Sequence, residues 1–224
     1  MRLEVLSERL GVTIGDQLLS QALTHRSYSY EHSNQPNNER LEFLGDSVLG
    51  FVVTTHLFAR FGEMDEGELT KLKNAIVSAK ALAQVAGELG LGEFLLLGRG
   101  EEQTGGRAKI NLLADTFEAV LGAVYVEAGL AEATAMVERL VLPLLDDHQS
   151  LLDNSDPKTR LQELAQAKGL SAPSYSVSFE GPDHDRTFFA TLTVGDVVVK
   201  GVARSRKNAE SEAAVAAIEA LGGK

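Results

Sequence analysis

Cysteine and tryptophan are absent from this 224-residue chain, and proline occurs five times. Without cysteine there is no disulfide scaffold, no thiolate zinc site and no cysteine nucleophile. The absence is compatible with a reducing compartment. No uninterrupted run of about 18 apolar residues is present to span a bilayer. The longest candidate, residues 48–58, is broken by Thr54, Thr55 and His56. The opening MRLEVLSERL carries Glu4 and Glu8 and has neither the basic nor the apolar region of a signal peptide. These absences predict a cytoplasmic protein with no membrane partner. Positive charge is also scarce. A net charge of −11 counts against a polyanionic partner, provided the charge is evenly spread.

It is not evenly spread. Residues 1–148 hold 12 Lys and Arg against 22 Asp and Glu, a net of −10, while residues 156–224 hold nine of each sign. The stretch between them, SLLDNSDP, is rich in turn formers. The expected organisation is an acidic body at residues 1–148, a linker at 149–155 and a neutral tail domain at 156–224. A hydrophobic content of 44% is enough for packed cores and excludes a wholly disordered chain.

The body has helical periodicity. Apolar residues recur at helical spacing over residues 16–27, 38–61, 69–85, 110–126 and 130–145, the last two parted by Gly129. The tail changes period. Residues 158–168 read as a helix, 175–180, 186–194 and 197–203 alternate as strands do, and 207–221 form an alanine-rich helix. Gly195-Asp196 is a hairpin signal. The fold expectation is an all-α domain followed by a small α-β-β-β-α domain.

Two groups of carboxylates stand out. Glu39, Glu42 and Asp46 lie at i, i+3 and i+7, within about 60° of one another on a helix. Asp115 and Glu118, at i and i+3, interrupt the otherwise apolar run LLADTFEAVL. A solvated helix face is the plainer account of the first trio. The second pair is harder to dismiss, because ionised carboxylates in an apolar helix are costly unless paired or bound to metal. All-oxygen, cysteine-free coordination suits Mg²⁺, or Mn²⁺ in its place, rather than zinc. Such a site would polarise a phosphoryl oxygen and activate water.

The segment NERLEFLGDS (residues 38–47) resembles the signature of the ribonuclease III family of double-strand-specific endoribonucleases. LTHRSY (23–28), EGEL (66–69), GGR (105–107) and LADTFEA (113–119) fit further motifs of that family, and the tail resembles its double-stranded-RNA-binding domain. The resemblance covers essentially the whole chain in the bacterial two-domain order. It implies an endonuclease that cleaves double-stranded RNA by Mg²⁺-dependent phosphodiester hydrolysis. The implied products have 5′-phosphate and 3′-hydroxyl ends with short 3′ overhangs, and the implied substrates are ribosomal RNA precursors and other structured transcripts. Transferred position by position, the metal-coordinating residues fall on Glu42, Asp46, Asp115 and Glu118, with Asp46 and Glu118 catalytic. Glu39 and Glu66 fall near the RNA at the processing centre. Phe43 would read as core on a leucine-rich helix, but the resemblance makes it a contact of a homodimer. Lys71, Lys73, Arg99, Arg107 and Lys109 are candidate phosphate contacts of the body. His25 reads as a structural histidine.

In the tail, the resemblance implies RNA contacts from three places. Thr159, Gln162 and Glu163 lie on the first helix, His184 in the turn after Gly181-Pro182, and Arg204, Arg206 and Lys207 before the last helix. An amide such as Gln162 both donates and accepts, as a 2′-hydroxyl requires. Two departures from the family pattern are visible: Ala203 replaces a glycine, and Glu210 replaces a position that is basic in some relatives. With zero net charge, the tail is expected to bind weakly at physiological salt. Two other classes compete. A non-cleaving RNA-binding protein could have lost Asp46 or Glu118, and neither is lost. A nucleotide phosphohydrolase would need a glycine-rich phosphate loop before a helix, and none is present, so no nucleotide cofactor is expected.

Overall fold

The computed structural model describes residues 2–148, 157–182 and 186–223. The predicted linker 149–155 and His184 lie outside the described residues. The chain forms two compact units, Met1–Leu151 and Leu152–Lys224.

The first unit is helical: α1 Arg2–Leu10, α2 Asp16–Ala22, α3 Arg26–Glu31, α4 Glu39–Arg60, α5 Glu66–Ile76, α6 Ala79–Glu88, α7 Arg99–Gln103 and α8 Ile110–Leu140. Its axis is α8, against which α4, α6 and α2 pack. Around Phe117 this helix is buried on nearly every side, from Ala119 through Val124. A helix apolar all round has to be covered all round. Leu41, Val48, Leu49, Val52, Val53 and Leu57 form the buried stripe of α4. By length and mean hydropathy alone both α4 and α8 could cross a bilayer, although neither is an uninterrupted apolar run. In this fold much of their apolar surface faces other helices of the same unit.

Two glycines set the α4–α8 distance. A Cβ on Gly45 of α4 would lie 1.8 Å from the Glu118 carbonyl oxygen, and one on Gly122 of α8 would lie 2.2 Å from the Leu41 carbonyl oxygen. The two backbones therefore touch where any side chain would hold them apart.

Three predicted helices end early. The run 16–27 breaks after Ala22 because residues 23–25 leave the helix to bond another segment: Leu96 N–H donates to Leu23 O at 2.9 Å and His25 N–H to Leu96 O at 3.0 Å. The stripe 69–85 is two helices, parted where the Ser78 hydroxyl accepts the Ala81 N–H and caps α6. The run 130–145 ends at Leu140 and passes into a 3₁₀ turn, Leu142–Asp147, containing Pro143. At Gly129 (φ 82°, ψ −176°) the backbone leaves the helical conformation, so α8 is two helical segments parted there, as the spacing predicts.

The second unit runs α9 Pro157–Ala167, β1 Ser174–Glu180, β2 Thr187–Val194, β3 Val197–Ala203 and α10 Arg206–Ala220. The sheet is antiparallel in the order β1-β2-β3. Val194 pairs with Val197 across the predicted Gly195-Asp196 turn, where Gly195 takes φ 56°. Ala190, Leu192 and Val194 of β2 pack on Leu161 and Ala165 of α9 and on Ala209, Ala213 and Ala217 of α10. Gly201 is required: a Cβ there would sit 2.2 Å from the Ala209 carbonyl oxygen. Ala203, half-buried at the end of β3, occupies the departing position within this regular strand.

Candidate metal centre and nucleic-acid interface

Glu42 faces α8 from the first turn of α4, three residues before the Gly45 contact. Asp115 and Glu118 lie two turns and one turn before Gly122 on α8. The glycine crossing thus brings carboxylates of two helices together. One carboxylate oxygen from each of Glu42, Asp115 and Glu118 lies within 4.8 Å of the others, and all three residues are half-buried. Asp46, one turn beyond Glu42, is exposed and is not in this group. Its charge still acts on both Glu42 and Glu118.

The electrostatics are those of a site short of positive charge. Burial, then the charges of Asp46, Asp115 and Glu42, push the Glu118 carboxyl up to about 8. Glu42 is raised by burial and by Asp115 and Glu39, with Arg26 partly opposing. Asp115 is raised by burial, against the pull of His25 and Arg26. Without a cation Glu118 keeps at neutral pH a proton that carboxylates ordinarily lose. This all-oxygen donor set fits a hard divalent cation.

The cluster opens into a pocket lined by His25, Arg26, Asn38, Glu39, Glu42 and Asp115 among others. Glu39 is held at its rim by Asn37 Nδ2, which donates at 3.0 Å, and by Arg26 at 3.6 Å. His25 caps α3: its Nδ1 accepts the Ser27 N–H at 3.2 Å, which leaves the ring proton on Nε2. Ser27 Oγ lies 2.8 Å from the same nitrogen and accepts the Gly98 N–H. The structural reading of His25 therefore holds, and the residue also lines the pocket. Burial lowers its pKa.

Other predicted residues lie elsewhere. Glu66, in the first turn of α5, accepts from the Thr70 hydroxyl and is not among the pocket's lining residues. Phe43 is not core; it is 77% exposed. Arg107, a candidate phosphate contact, is engaged within the fold. It donates to the Gly92 and Leu95 carbonyls at 2.9 Å and forks onto Glu102 at 2.7 Å twice. Lys109 is likewise engaged, with Glu101 at 2.5 Å and Thr104 at 2.8 Å. Lys71 and Arg99 are exposed and Lys73 is half-buried. Arg26 and Asn111 were not expected at the pocket. Arg26 lies inside the quoted LTHRSY motif, but nothing in the spacing of Asn111 marks it.

In the second unit Gln162, Glu163, Arg204, Arg206 and Lys207 are all exposed, and Thr159 is half-buried. Ser205 caps α10 by accepting the Asn208 N–H. The basic run therefore sits at a helix N-terminus, where backbone dipoles also favour anions. Thr159 and Gln162 share a cavity with Lys158, Pro173 and Tyr175.

Comparison with known proteins separates the same two units. Residues 15–145 match the family model for ribonuclease-III-like domains, and residues 157–221 match that of the double-stranded RNA binding motif. The chain is 56% identical over 217 residues to Ribonuclease 3 of Leifsonia xyli, covering 96% of this chain and 92% of that one. It is 52% identical to Ribonuclease 3 of Thermobifida fusca, covering 96% and 90%. Among solved structures, the nuclease domain of ribonuclease III from Campylobacter jejuni superimposes with a TM-score of 0.59 at 42% identity. That match covers 63% of this chain and 96% of that one.

Proposed function

The chain belongs to the ribonuclease III family and is an endonuclease of double-stranded RNA, and on that premise we propose that it acts by Mg²⁺-dependent phosphodiester hydrolysis at the α4–α8 carboxylate cluster. The observation that carries this reading is the convergence of Glu42, Asp115 and Glu118 within 4.8 Å. When bound there, Mg²⁺ supplies Lewis-acid polarisation of the scissile phosphate and a water acidic enough to attack it. The protein's part is to hold the donors. Glu42, Asp115 and Glu118 would hold the cation, and exposed Asp46 would complete the acidic set. Glu118, which keeps a proton at neutral pH without a cation, would hold the cation as its carboxylate. Glu39 and Glu66 stand toward the RNA. Attack at phosphorus with loss of the 3′-oxygen yields 5′-phosphate and 3′-hydroxyl ends.

The body is acidic and would repel a duplex; binding falls to the other unit. Gln162 and Glu163 of α9 address the 2′-hydroxyls of one minor groove, and Arg204, Arg206 and Lys207 the phosphates beside it. By family likeness His184 enters the second minor groove.

Two strands require two sites, and the proposed enzyme is a homodimer. Phe43, Phe51 and Phe58 are 77, 58 and 75% exposed, and helical geometry puts them within about 80° of one another on α4. Three exposed phenylalanines on one helix face make an association surface. The similar Campylobacter jejuni nuclease domain has a region involved in dimer formation. One cluster per strand, offset by the dimer axis, would leave short 3′ overhangs. We assign the enzyme to the cytoplasm and its substrates to ribosomal RNA precursors and other structured transcripts.

The test is a cleavage assay on long double-stranded RNA, single-stranded RNA and double-stranded DNA, each with Mg²⁺ and with EDTA. Cutting of the RNA duplex alone, with Mg²⁺ alone, and ligatable 5′-phosphate ends are expected. Cleavage in EDTA, or 2′,3′-cyclic phosphate ends, would contradict the mechanism.

A further inference from the structure

Among the described residues, Glu210 is the one ionisable side chain that is buried, at 8% exposure. It lies on α10 inside the basic region, where it was read as a departure from the family pattern. Its two carboxylate oxygens are divided. Oε2 accepts from Lys158 Nζ of α9 at 2.6 Å, and Oε1 accepts from Arg206 Nε of α10 at 2.9 Å. The partners are far more exposed than the acid, 41% for Lys158 and 71% for Arg206. Lys158 is also held over the Tyr175 ring, its Nζ 4.9 Å from the centroid. It lines the cavity that holds Thr159 and Gln162.

The bridge joins the two elements that the proposed function gives to RNA. Lys158 stands one helical turn before Gln162, on the same face of α9. Arg206 begins α10, next to Lys207. A charge-assisted bond at each oxygen fixes both cations by direction as well as by charge. Buried ionic groups of this kind add little net stability, and their best-attested use is to fix one arrangement over others.

We propose that Glu210 is a specificity-determining positioning residue of the RNA-binding unit, clamping Lys158 on α9 to Arg206 on α10 so that groove-reading and phosphate-reading side chains keep one spacing. A fixed spacing suits the A-form duplex, whose minor groove and phosphates are regularly placed. Released from Glu210, Lys158 and Arg206 would instead bind any phosphate within reach, at no fixed spacing. The inference rests on the duplex-RNA reading of this surface. It differs from a purely structural role in what the loss of Glu210 does to selectivity.

The test uses the full chain in EDTA, where no cleavage is expected. Fluorescence anisotropy is measured with an RNA duplex of about 16–20 base pairs, the matching DNA duplex and the single-stranded RNA. KCl is varied from about 50 to 200 mM. Glu210→Gln is expected to lower the preference for duplex RNA at least about fivefold, and to steepen the logarithmic salt slope by about one as Lys158 joins Arg206 in reaching phosphates. Lys158→Met leaves Glu210 paired with Arg206; it should lose preference comparably without a steeper slope. A folded Glu210→Gln with wild-type preference and slope overturns the inference. If Glu210→Gln does not fold, Lys158→Met decides, and wild-type preference there overturns it. A wild-type chain with no preference for duplex RNA overturns the surface reading itself, and this inference with it.

Discussion

Replacing Gly45 by alanine adds one methyl group at the point where α4 touches α8. That Cβ would lie 1.8 Å from the Glu118 carbonyl oxygen and 2.6 Å from its carbonyl carbon, whereas ordinary contact begins at 3.4 Å. The obstacle is backbone and cannot rotate away, so the helices must separate by about 1.6 Å at the crossing. Helix propensity alone predicts the opposite sign, a gain of roughly 1 kcal/mol for alanine over glycine. Overpacking costs about 1–3 kcal/mol, and a rigid neighbour puts this site at the upper end. The net expectation is a loss of about 2 kcal/mol, or a fall of roughly 4–8 °C in the melting of the nuclease unit. The functional effect should be larger. Glu42 moves with α4 while Asp115 and Glu118 stay with α8, and a displacement of about 1 Å can cost about 100-fold in rate. The assay pairs calorimetry with single-turnover cleavage of duplex RNA across a Mg²⁺ titration. Folded Gly45→Ala should need far more Mg²⁺ and cut far more slowly. Wild-type melting and wild-type Mg²⁺ dependence would refute the claim that this contact sets the site.

The raised carboxyl of Glu118 stabilises the metal-free fold fully at pH values below the ordinary carboxylate range, and this contribution is lost as pH rises toward about 8. Thermal melting in EDTA should therefore weaken from mildly acidic to mildly alkaline pH through this group, and Glu118→Gln should flatten that component; an unchanged slope counts against it. Phe43→Ser combined with Phe58→Ser should shift sedimentation from dimer to monomer at micromolar concentration while the helical circular dichroism stays; a persisting dimer moves the interface elsewhere. Arg107→Met strands the Gly92 and Leu95 carbonyls and should destabilise by about 1–3 kcal/mol, read as a lower denaturation midpoint. A neutral result would return Arg107 to the surface.

Periodicity exposed the helices that build the site because α4 and α8 are long and their apolar faces recur. The same pattern fails where the chain stops for a tertiary reason. Residues 23–25 leave their helix to bond Leu96, a partner about 70 positions away that no local window contains. The break at Ser78 was legible as a cap and was hidden by an apolar stripe that continues across it. The carboxylates were found through their spacing and family likeness. That Asp46 stands outside the tight group depends on the angle at which two helices cross. Charge counting marked Arg107 and Lys109 as candidate phosphate contacts, and composition cannot show that Glu102 and Glu101 pair with them. Without the family likeness Phe43 would read as core, because a sequence shows which face of a helix is apolar, but not that a second apolar strip remains uncovered. Glu210 read as a weakness of the basic patch until Lys158, 52 residues earlier, appeared beside it.

The central claim is that the Glu42–Asp115–Glu118 cluster cuts duplex RNA through its charge, and Glu118→Gln tests it with almost no change of shape. Single-turnover cleavage in Mg²⁺ should fall by at least about 100-fold, while affinity for the RNA duplex in EDTA stays within about twofold of wild type. Near wild-type cleavage by the purified variant would contradict the account.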